Sequence, residues 1–367
     1  MMKFTCKRSD LVQAVTNVSR AVGAKAAVPA LEGILLRTRS NKLFIAGYDL
    51  NLGITTEIDA DIDQSGSAVL SAKFFGDVVR RMPGEDITIS CDDKQLTEIS
   101  SGASHFTILA ISADDYPELP EVDGGESLEM DQLVLQNMIN QTLFAVALGD
   151  AKPVHTGSLF DIVGGKLTVV SVDGYRLALR RENIKADSDF RFIVPGKTLG
   201  EVSRLIGGGE GTVSIRLGDR HIIFEVDGYS VISRLLEGDF LDYNASIPKT
   251  HTLEVTVGVR SLVDSVERAA LLISERMKSP LRLKFSGNTI SVACETSMGK
   301  IYDEVSCVSE GGDVSIGFNH KYLLDALRNS GCDEVKLQLS GPLSPVKVVP
   351  KDGEEFLFLV LPVRIRS

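Results

Sequence analysis

The sequence predicts an α+β fold made of three repeats of one domain, each with antiparallel sheets and two helices on one side. Three observations carry that prediction. A helix-turn-strand unit recurs every 124 residues: KFFGDVVRRMPGEDITI from Lys73, KTLGEVSRLIGGGEGTVSI from Lys197 and KYLLDALRNSGCDEVKL from Lys321. Each copy has an acid at its fifth residue (Asp77, Glu201, Asp325) and an Arg at its eighth (Arg80, Arg204, Arg328). Apolar residues share offsets as well, with Phe75, Leu199 and Leu323 followed by Val78, Val202 and Ala326. A second register, Lys42-Leu43 with Asp49 against Lys166-Leu167 with Asp173, keeps the same spacing. Around these units lie short runs with the period-2 alternation of strands.

The elements follow in order. Copy one opens with a strand at Lys3–Cys6 and a helix to about Val22, with Ser9 and Asp10 as expected caps and Leu11, Val15 and Val18 on its apolar face. Strands are predicted at 33–37, 42–46, 52–58 and 68–70, then the Lys73 helix, which Pro83 and Gly84 stop. Strands at 87–91, 96–100 and 105–109 complete the copy. DDYPELP (114–120) breaks regular structure, and 121–127 reads as an acidic linker. Copy two has a helix over about 131–147, with Leu133, Ile139 and Phe144 expected in the core. Strands at 158–163, 166–170, 177–181 and 192–194 lead to the Lys197 helix, and strands at 213–217, 221–226 and 230–235 follow it. FLDYNASIP (240–248) echoes the first exit segment. Copy three has a strand at 253–257 and a helix over about 260–275. Strands at 281–285, 289–293, 300–305 and 314–316 precede the Lys321 helix, and strands at 335–339, 345–349 and 355–361 end it. The expected domains are 1–122, 123–250 and 251–367.

Composition narrows the function. The 367 residues have the apolar and charged fractions of an ordinary globular protein, enough for three cores. MMKFTCKRSD lacks the apolar segment of a secretion signal, and the apolar run near Phe356–Val363 is too short to cross a bilayer. Five scattered cysteines without CxxC spacing point to reduced thiols in a cytoplasmic protein rather than to disulfides or zinc. The net charge of −11 argues against nucleic-acid binding if the charge is evenly spread. It is uneven: the six predicted helical segments together carry +7, leaving −18 on the strands and loops. Helices on one surface would make a positive face on a negative protein, the footprint of a polyanion partner. The plainer reading of each helix alone is a solvated face with internal ion pairs.

Catalytic patterns are missing. GGGEG (207–211) lacks the Lys-Ser/Thr of a phosphate loop and ends a helix instead of opening one. The histidines at 105, 155, 221, 251 and 320 have no metal-ligand spacing. No GxSxG, HExxH or paired-carboxylate pattern occurs. No cofactor or metal is expected. The alternatives are a metal-dependent nuclease or nucleotidyl transferase using Asp49 or Asp173, and a scaffold with no DNA role. VDGYRLAL (172–179) presents Tyr175 and Arg176 at a turn, and the apolar end FLVLPVRIRS reads either as a last strand or as part of a groove for a partner peptide.

These motifs carry a resemblance. MKFT at the start, KFF (73–75), TVVSVDGYRLAL (168–179), Phe240 with Asp242, Tyr243 and Pro248, IGFNHKYLLDAL (316–327) and LPVRI (361–365) together resemble the bacterial replicative sliding clamps, the beta subunits of DNA polymerase III. The likeness covers the whole chain. It implies a non-catalytic head-to-tail homodimer, a closed ring of six similar domains around double-stranded DNA, which tethers the polymerase and repair partners without reading sequence. Polymerase and clamp-loader subunits would bind by short peptide motifs. The implied pocket comprises Gly174, Tyr175, Arg176, Leu177, Asn319, Tyr322, Pro362, Val363 and Arg364, with Leu241 and Met277 nearby. The chain departs from the family at Tyr175, where some members carry His, at Leu241, where Pro is common, and at His155, where an apolar residue is expected. Arg20, Lys25, Lys73, Arg80, Lys197, Arg204, Lys321 and Arg328 would face DNA, and Phe106 would meet Leu271 and Leu272 of a second copy.

Overall fold

The computed structural model describes residues 1–122, 124–149, 151–186, 188–273 and 279–365. Copy one contains β1 (Met2–Lys7), α1 (Arg8–Val18), β2 (Gly33–Arg39), β3 (Lys42–Tyr48), β4 (Leu52–Gln64), β5 (Ser67–Ser71), α2 (Ala72–Arg81), β6 (Asp86–Cys91), β7 (Leu96–Ser101) and β8 (Ser104–Leu109). Copy two contains β9 (Glu126–Asp131), α3 (Gln132–Leu143), β10 (Gly157–Val163), β11 (Lys166–Val172), β12 (Arg176–Asn183), β13 (Phe190–Pro195), α4 (Gly196–Leu205), β14 (Thr212–Leu217), β15 (His221–Val226), β16 (Tyr229–Arg234) and the one-turn α5 (Tyr243–Ser246). Copy three contains β17 (Leu253–Gly258), α6 (Val259–Ala270), β18 (Leu281–Ser286), β19 (Thr289–Thr296), β20 (Gly299–Ser306), β21 (Val308–Gly311), β22 (Val314–Phe318), α7 (His320–Arg328), β23 (Glu334–Leu339), β24 (Val346–Pro350) and β25 (Phe356–Val360).

One wiring repeats. In copy two, β13-β10-β11-β12 form one antiparallel run and β9-β14-β15-β16 another. Copy one repeats these as β5-β2-β3-β4 and β1-β6-β7-β8, and copy three as β22-β18-β19-β20 and β17-β23-β24-β25. The copies are then joined strand to strand. β4 pairs with β16, from Leu52↔Ser233 to Thr56↔Tyr229, and β12 pairs with β25, from Arg176↔Val360 to Arg180↔Phe356. The structure divides into two compact units that follow these junctions. One unit is Met1–Leu135 with Gly200–Leu235, and the other is Gln136–Leu199 with Leu236–Ser367.

In the first unit α1 and α2 pack on each other and α1 lies on β3 and β4. Leu11, Val15 and Val18 are fully buried, as their spacing predicts, and Phe75 and Val79 fill the same core from α2. In the second unit α6 and α7 pair likewise, burying Leu262, Val266, Leu323 and Leu327 against Leu283, Phe285 and Val292. Each strand before the second helix of a copy has its edge closed by the chain leaving the copy. Val69 and Ile111 exchange backbone bonds of 3.1 and 2.9 Å, Leu236 N donates to Ile193 O at 3.0 Å, and Val363 N donates to Gly317 O at 2.8 Å. Val69, Ile193 and Gly317 are 124 residues apart. The exit segments then fold back. Tyr116 packs against Leu35, Ala46, Tyr48 and Val69, and Tyr243 packs against Leu159, Val170, Val172 and Ile193.

Some local expectations fail for physical reasons. Lys7, not Ser9 or Asp10, is the cap of α1, because pairing of β1 runs straight into the helix; Ser9 Oγ turns to Asp10 instead. The first helix changes to a 3-10 turn at Ser19–Ala21. Leu133 is 39% exposed, while Leu135, Met138 and Ile139 take the core face of α3. β9 was not expected: it begins at Glu126, at the end of the stretch read as a linker, and its polar residues alternate with buried Leu128 and Met130 at a sheet edge. β21 was not expected either. The α6 helix ends at Ala270, and the expected continuation to Glu275 runs into residues outside those described.

The five cysteines have no disulfide: Cys6, Cys91 and Cys294 are buried and Cys307 and Cys332 half-buried. Burial pushes the Cys6 thiol up to about 12, far from thiolate reactivity. Among the described residues no helix is long and apolar enough to cross a membrane.

Gly47 in β3 sets how closely α1 approaches the sheet. A Cβ there would lie 2.2 Å from Val18 O and 3.1 Å from a Val22 methyl. Gly47→Ala is therefore expected to cost about 3 kcal/mol, the upper end for overpacking, and to lower the urea midpoint.

Candidate functional site

The turn between β11 and β12 is built by one carboxylate. Asp173 Oδ1 accepts the backbone N–H of Tyr175 at 2.9 Å and of Arg176 at 3.0 Å, while Gly174 takes φ +89°. Copy one has the same turn: Asp49 Oδ1 accepts from Asn51 N and Leu52 N at 3.0 and 2.8 Å, with Leu50 at φ +72°. The turns differ in the side chain that opens the next strand. Leu52 stands where copy two has Arg176, and only Arg176 adds a charged clasp.

Arg176 is 9% exposed. Its Nε donates to Asp173 Oδ2 at 3.0 Å and its Nη1 to Asp325 of α7. Its guanidinium lies 4.7 Å from the Tyr322 ring centre and 5.5 Å from that of Phe144. Tyr322, on α7, stacks on Tyr175 with centroids 5.8 Å apart and an interplanar angle of 19°. Burial first, and Asp173 second, raise the Tyr322 phenol above its ordinary value. Leu177 is buried beneath. Asn319 caps α7 by accepting Lys321 N at 3.0 Å, and Leu361 N donates to Tyr175 O at 2.9 Å, which ties the terminal segment to the turn.

So Gly174, Tyr175, Arg176, Leu177, Asn319 and Tyr322 form one connected cluster. Val363 and Arg364 lie exposed along the terminal segment, with Pro362 half-buried between Leu361 and Val363. Leu241 is 40% exposed in the exit segment, and His155 packs edge-on to Phe240 at 5.4 Å; burial lowers the His155 pKa. Met277 lies outside the described residues. Sequence reasoning missed Phe144 as the second wall of Arg176, and it read Asp325 only as a helix acid.

The helix cations form a second set. Lys25, Lys73, Arg80, Lys197, Arg204, Lys321 and Arg328 are exposed, and Arg20 is half-buried. Arg80 pairs with Asp77 at 2.9 Å and Arg204 with Glu201 at 2.6 Å, the i,i+3 contact the spacing allows. Glu201 also faces Arg20 at 3.5 Å. Copy three breaks the rule: Asp325 turns to Arg176, and Arg328 pairs with Glu267 of α6 instead.

The residues expected at a contact between copies lie at sheet edges. Phe106 is 39% and Leu109 74% exposed on β8, which pairs only with β7 among the described residues. Leu271 is 83% exposed just after α6, and Leu272 is half-buried beside it. Among the same residues β20 pairs only with β19. Arg268 and Ser265 of α6 hold Asp303 of β20 at 2.9 Å each and keep its carboxyl below the usual range.

Asp49 and Asp173 act as turn acceptors, and among the described residues no cluster of three His, Cys, Asp or Glu could hold a metal. The two turns provide an internal comparison. Asp173→Ala is expected to cost about 2–3 kcal/mol, because it strips two backbone donors and half of a buried guanidinium clasp. Asp49→Ala is expected to cost about 1 kcal/mol, because it strips the donors alone. Urea unfolding of both variants measures the difference.

The family descriptions for the DNA polymerase III beta subunit match along the chain: the N-terminal domain at residues 2–120, the central domain at 129–242 and the C-terminal domain at 245–364. A beta sliding clamp of Staphylococcus epidermidis is 31% identical over 376 residues, covering 99% of this chain and 100% of the relative. The solved structure of a putative DNA polymerase III beta subunit from Eubacterium rectale is 34% identical with a TM-score of 0.94, covering 99% of both chains. The DNA polymerase sliding clamp of Bacillus subtilis is 28% identical with a TM-score of 0.96 and covers both chains fully. Three matched domains and one wiring repeated in each copy agree: the chain belongs to the DNA polymerase III beta subunit family, the sliding clamps that serve DNA replication as non-catalytic processivity factors.

Proposed function

We propose that two copies of this chain close head to tail into a ring around duplex DNA and tether polymerase and loader subunits to it. The observation that carries this reading is the repeated junction. The fourth strand of copy one pairs with the eighth of copy two, and the fourth of copy two with the last of copy three. The remaining members of that series are β20, the fourth strand of copy three, and β8, the eighth of copy one. β8 is an exposed edge carrying Phe106 and Leu109, the kind of edge that invites another strand. Pairing β20 with β8 of a second molecule completes the series, with Leu271 and Leu272 beside the contact. Two such heterologous contacts close a ring of two.

The proposed domains are 1–122, 123–250 and 251–367, two sets of three in the ring. Arg20, Lys25, Lys73, Arg80, Lys197, Arg204, Lys321 and Arg328 are the proposed DNA-facing set. The carboxylate pairs of Arg80, Arg204 and Arg328 suit a sliding surface: a cation shared with a carboxylate meets each phosphate weakly and leaves it readily. The pocket of Gly174, Tyr175, Arg176, Leu177, Leu241, Met277, Asn319, Tyr322, Pro362, Val363 and Arg364 is the proposed seat for partner peptides. Aromatic faces and a fixed guanidinium supply apolar anchoring and direction there. The setting is the cytoplasm.

Three measurements test this. The mass in solution is expected near twice 39.7 kDa, and a stable monomer overturns the ring. Protein loaded on circular DNA is expected to survive high salt and to leave once the circle is cut; equal salt sensitivity on both forms overturns topological retention. Tyr322→Ala is expected to weaken binding of polymerase-derived peptides by about tenfold or more, the loss of an aromatic anchor, while leaving the dimer intact. The Asp303 tie is fully present above the unfolded carboxylate value of 3.8 and is lost as pH falls through the lower folded value, so the dimer mass is expected to hold at pH 5.

A further inference from the structure

The outer face of the copy-three sheet departs from its two counterparts in a way the tether reading does not use. In copy one the rung Val69–Leu35–Ala46–Thr55 crosses β5, β2, β3 and β4, and Tyr116 packs on its apolar members. In copy two the rung Ile193–Leu159–Val170–Leu179 does the same for Tyr243. Both seats therefore hold an acidic piece of the chain itself: DDYPELP in one case, and GDFLDYNASIP, from Gly238, whose Tyr243 opens the helical turn α5, in the other. The capped edge residues Val69, Ile193 and Gly317 fix the equivalent rung in copy three as Gly317–Arg282–Ala293–Tyr302. The neighbouring copy-two pair Val172–Leu177 becomes Glu295–Lys300.

The apolar seat has thus been rebuilt as a charged one. It forms a cleft of about 920 Å³ lined by Arg282, Ala293, Glu295, Lys300, Tyr302 and Arg364. Three cations face one carboxylate on a chain of net charge −11. The next rung adds Lys284 and Glu304, which balance each other. Arg282, Lys300 and Arg364 are all exposed, so a ligand reaches them without rearranging the sheet. At one end the cleft continues into Val363 and Arg364, the terminal segment of the proposed peptide pocket.

We propose that this cleft is a second docking site, for an extended acidic peptide segment of a partner protein lying along the path that the chain's own exit segments take over copies one and two. Side chains that would meet leucines and valines in the first two seats meet guanidinium and ammonium groups in the third. Acidic residues in the incoming segment pair with Arg282 and Lys300, and Tyr302 offers a ring face beside them. Copy one supplies the extended precedent, with Tyr116 at φ −85° and ψ 119°. The site is distinct from the aromatic pocket around Arg176, and a partner engaging both gains from the raised effective concentration of the second contact.

The test uses the full-length protein and a fluorescein-labelled peptide, DDYPELPE, copied from residues 114–121, with NNYPQLPQ as its neutral control. Anisotropy is expected to show saturable binding of the acidic peptide and binding about tenfold weaker for the control. Arg282→Glu combined with Lys300→Glu is expected to weaken acidic-peptide binding about tenfold, and Glu295→Lys to tighten it; the opposite signs separate the effect from loss of fold. Hydrogen exchange is expected to show peptide-induced protection in β19 and β20. Tyr322→Ala is expected to leave this binding unchanged, so failure here and failure of the aromatic pocket are told apart. The proposal is overturned if the charge variants bind like the parent, if the neutral peptide binds equally well, if protection falls elsewhere, or if a thymidine oligonucleotide occupies the same surface more tightly than the peptide.

Discussion

The open sheet edge is the constraint on which the rest depends. An antiparallel strand has two edges, and an exposed apolar edge pairs with whatever strand it meets. Here two such edges are closed by the next copy, through β4 with β16 and β12 with β25. Because main-chain bonds do this work, the junctions tolerate quite different side chains: Thr55, Ile54 and Gly53 of β4 face Ser230, Val231 and Ile232, whereas Leu179, Ala178 and Leu177 of β12 face Leu357, Phe358 and Leu359. The same tolerance leaves β8, whose side chains are mostly exposed, able to accept a further strand without new chemistry.

With the junctions fixed, the copies are free to diverge wherever the backbone does not need them. The turn between the third and fourth strands shows this well. Asp49 and Asp173 build it identically, yet position 52 is an apolar Leu, which is buried, and position 176 an Arg clasped by two acids. The Arg brings Tyr322 and Phe144 to its two faces, and Asp325 leaves its own helix partner to reach it. A buried guanidinium is costly unless fully paired. Both carboxylates therefore belong to the cluster, because they pair the guanidinium, and Arg328 is left to find Glu267.

How far the sequence foretold this depends on the range of the interaction. The 124-residue period, the buried faces of α1, α2 and α7, and the succession of strands along the chain are patterns in the sequence itself, and hydrophobic spacing exposes them. The failures came where a neighbour overruled local preference. Ser9 lost its cap role because β1 enters the helix without a break, and Leu133 lost its core place to Leu135 because β9 sets the phase of α3. In the pocket, Tyr175 and Arg176 were legible as an odd turn, and the others came from the family likeness. Phe144 was legible only as a core residue, since nothing nearby in sequence says that a guanidinium 32 positions away will lie on its ring.

The charge split has the same long-range character. Helix cations next to helix acids look self-neutralising, and in copies one and two they pair within the helix. The Asp77–Arg80 pair lies on a solvated face and is worth only about a few tenths of a kcal/mol, so it neither fixes the Arg nor removes its field; Glu201 is buried, but its partner Arg204 stays exposed. The cations remain available to a polyanion, while the excess acid sits on strands and exit segments such as DDYPELP. In a tether that holds by encirclement, weak and replaceable phosphate contacts are an advantage: a strongly bound cation would stall the movement that encirclement permits. The cluster around Arg176 is built on the opposite principle, with a buried guanidinium paired to two carboxylates and with stacked aromatic rings.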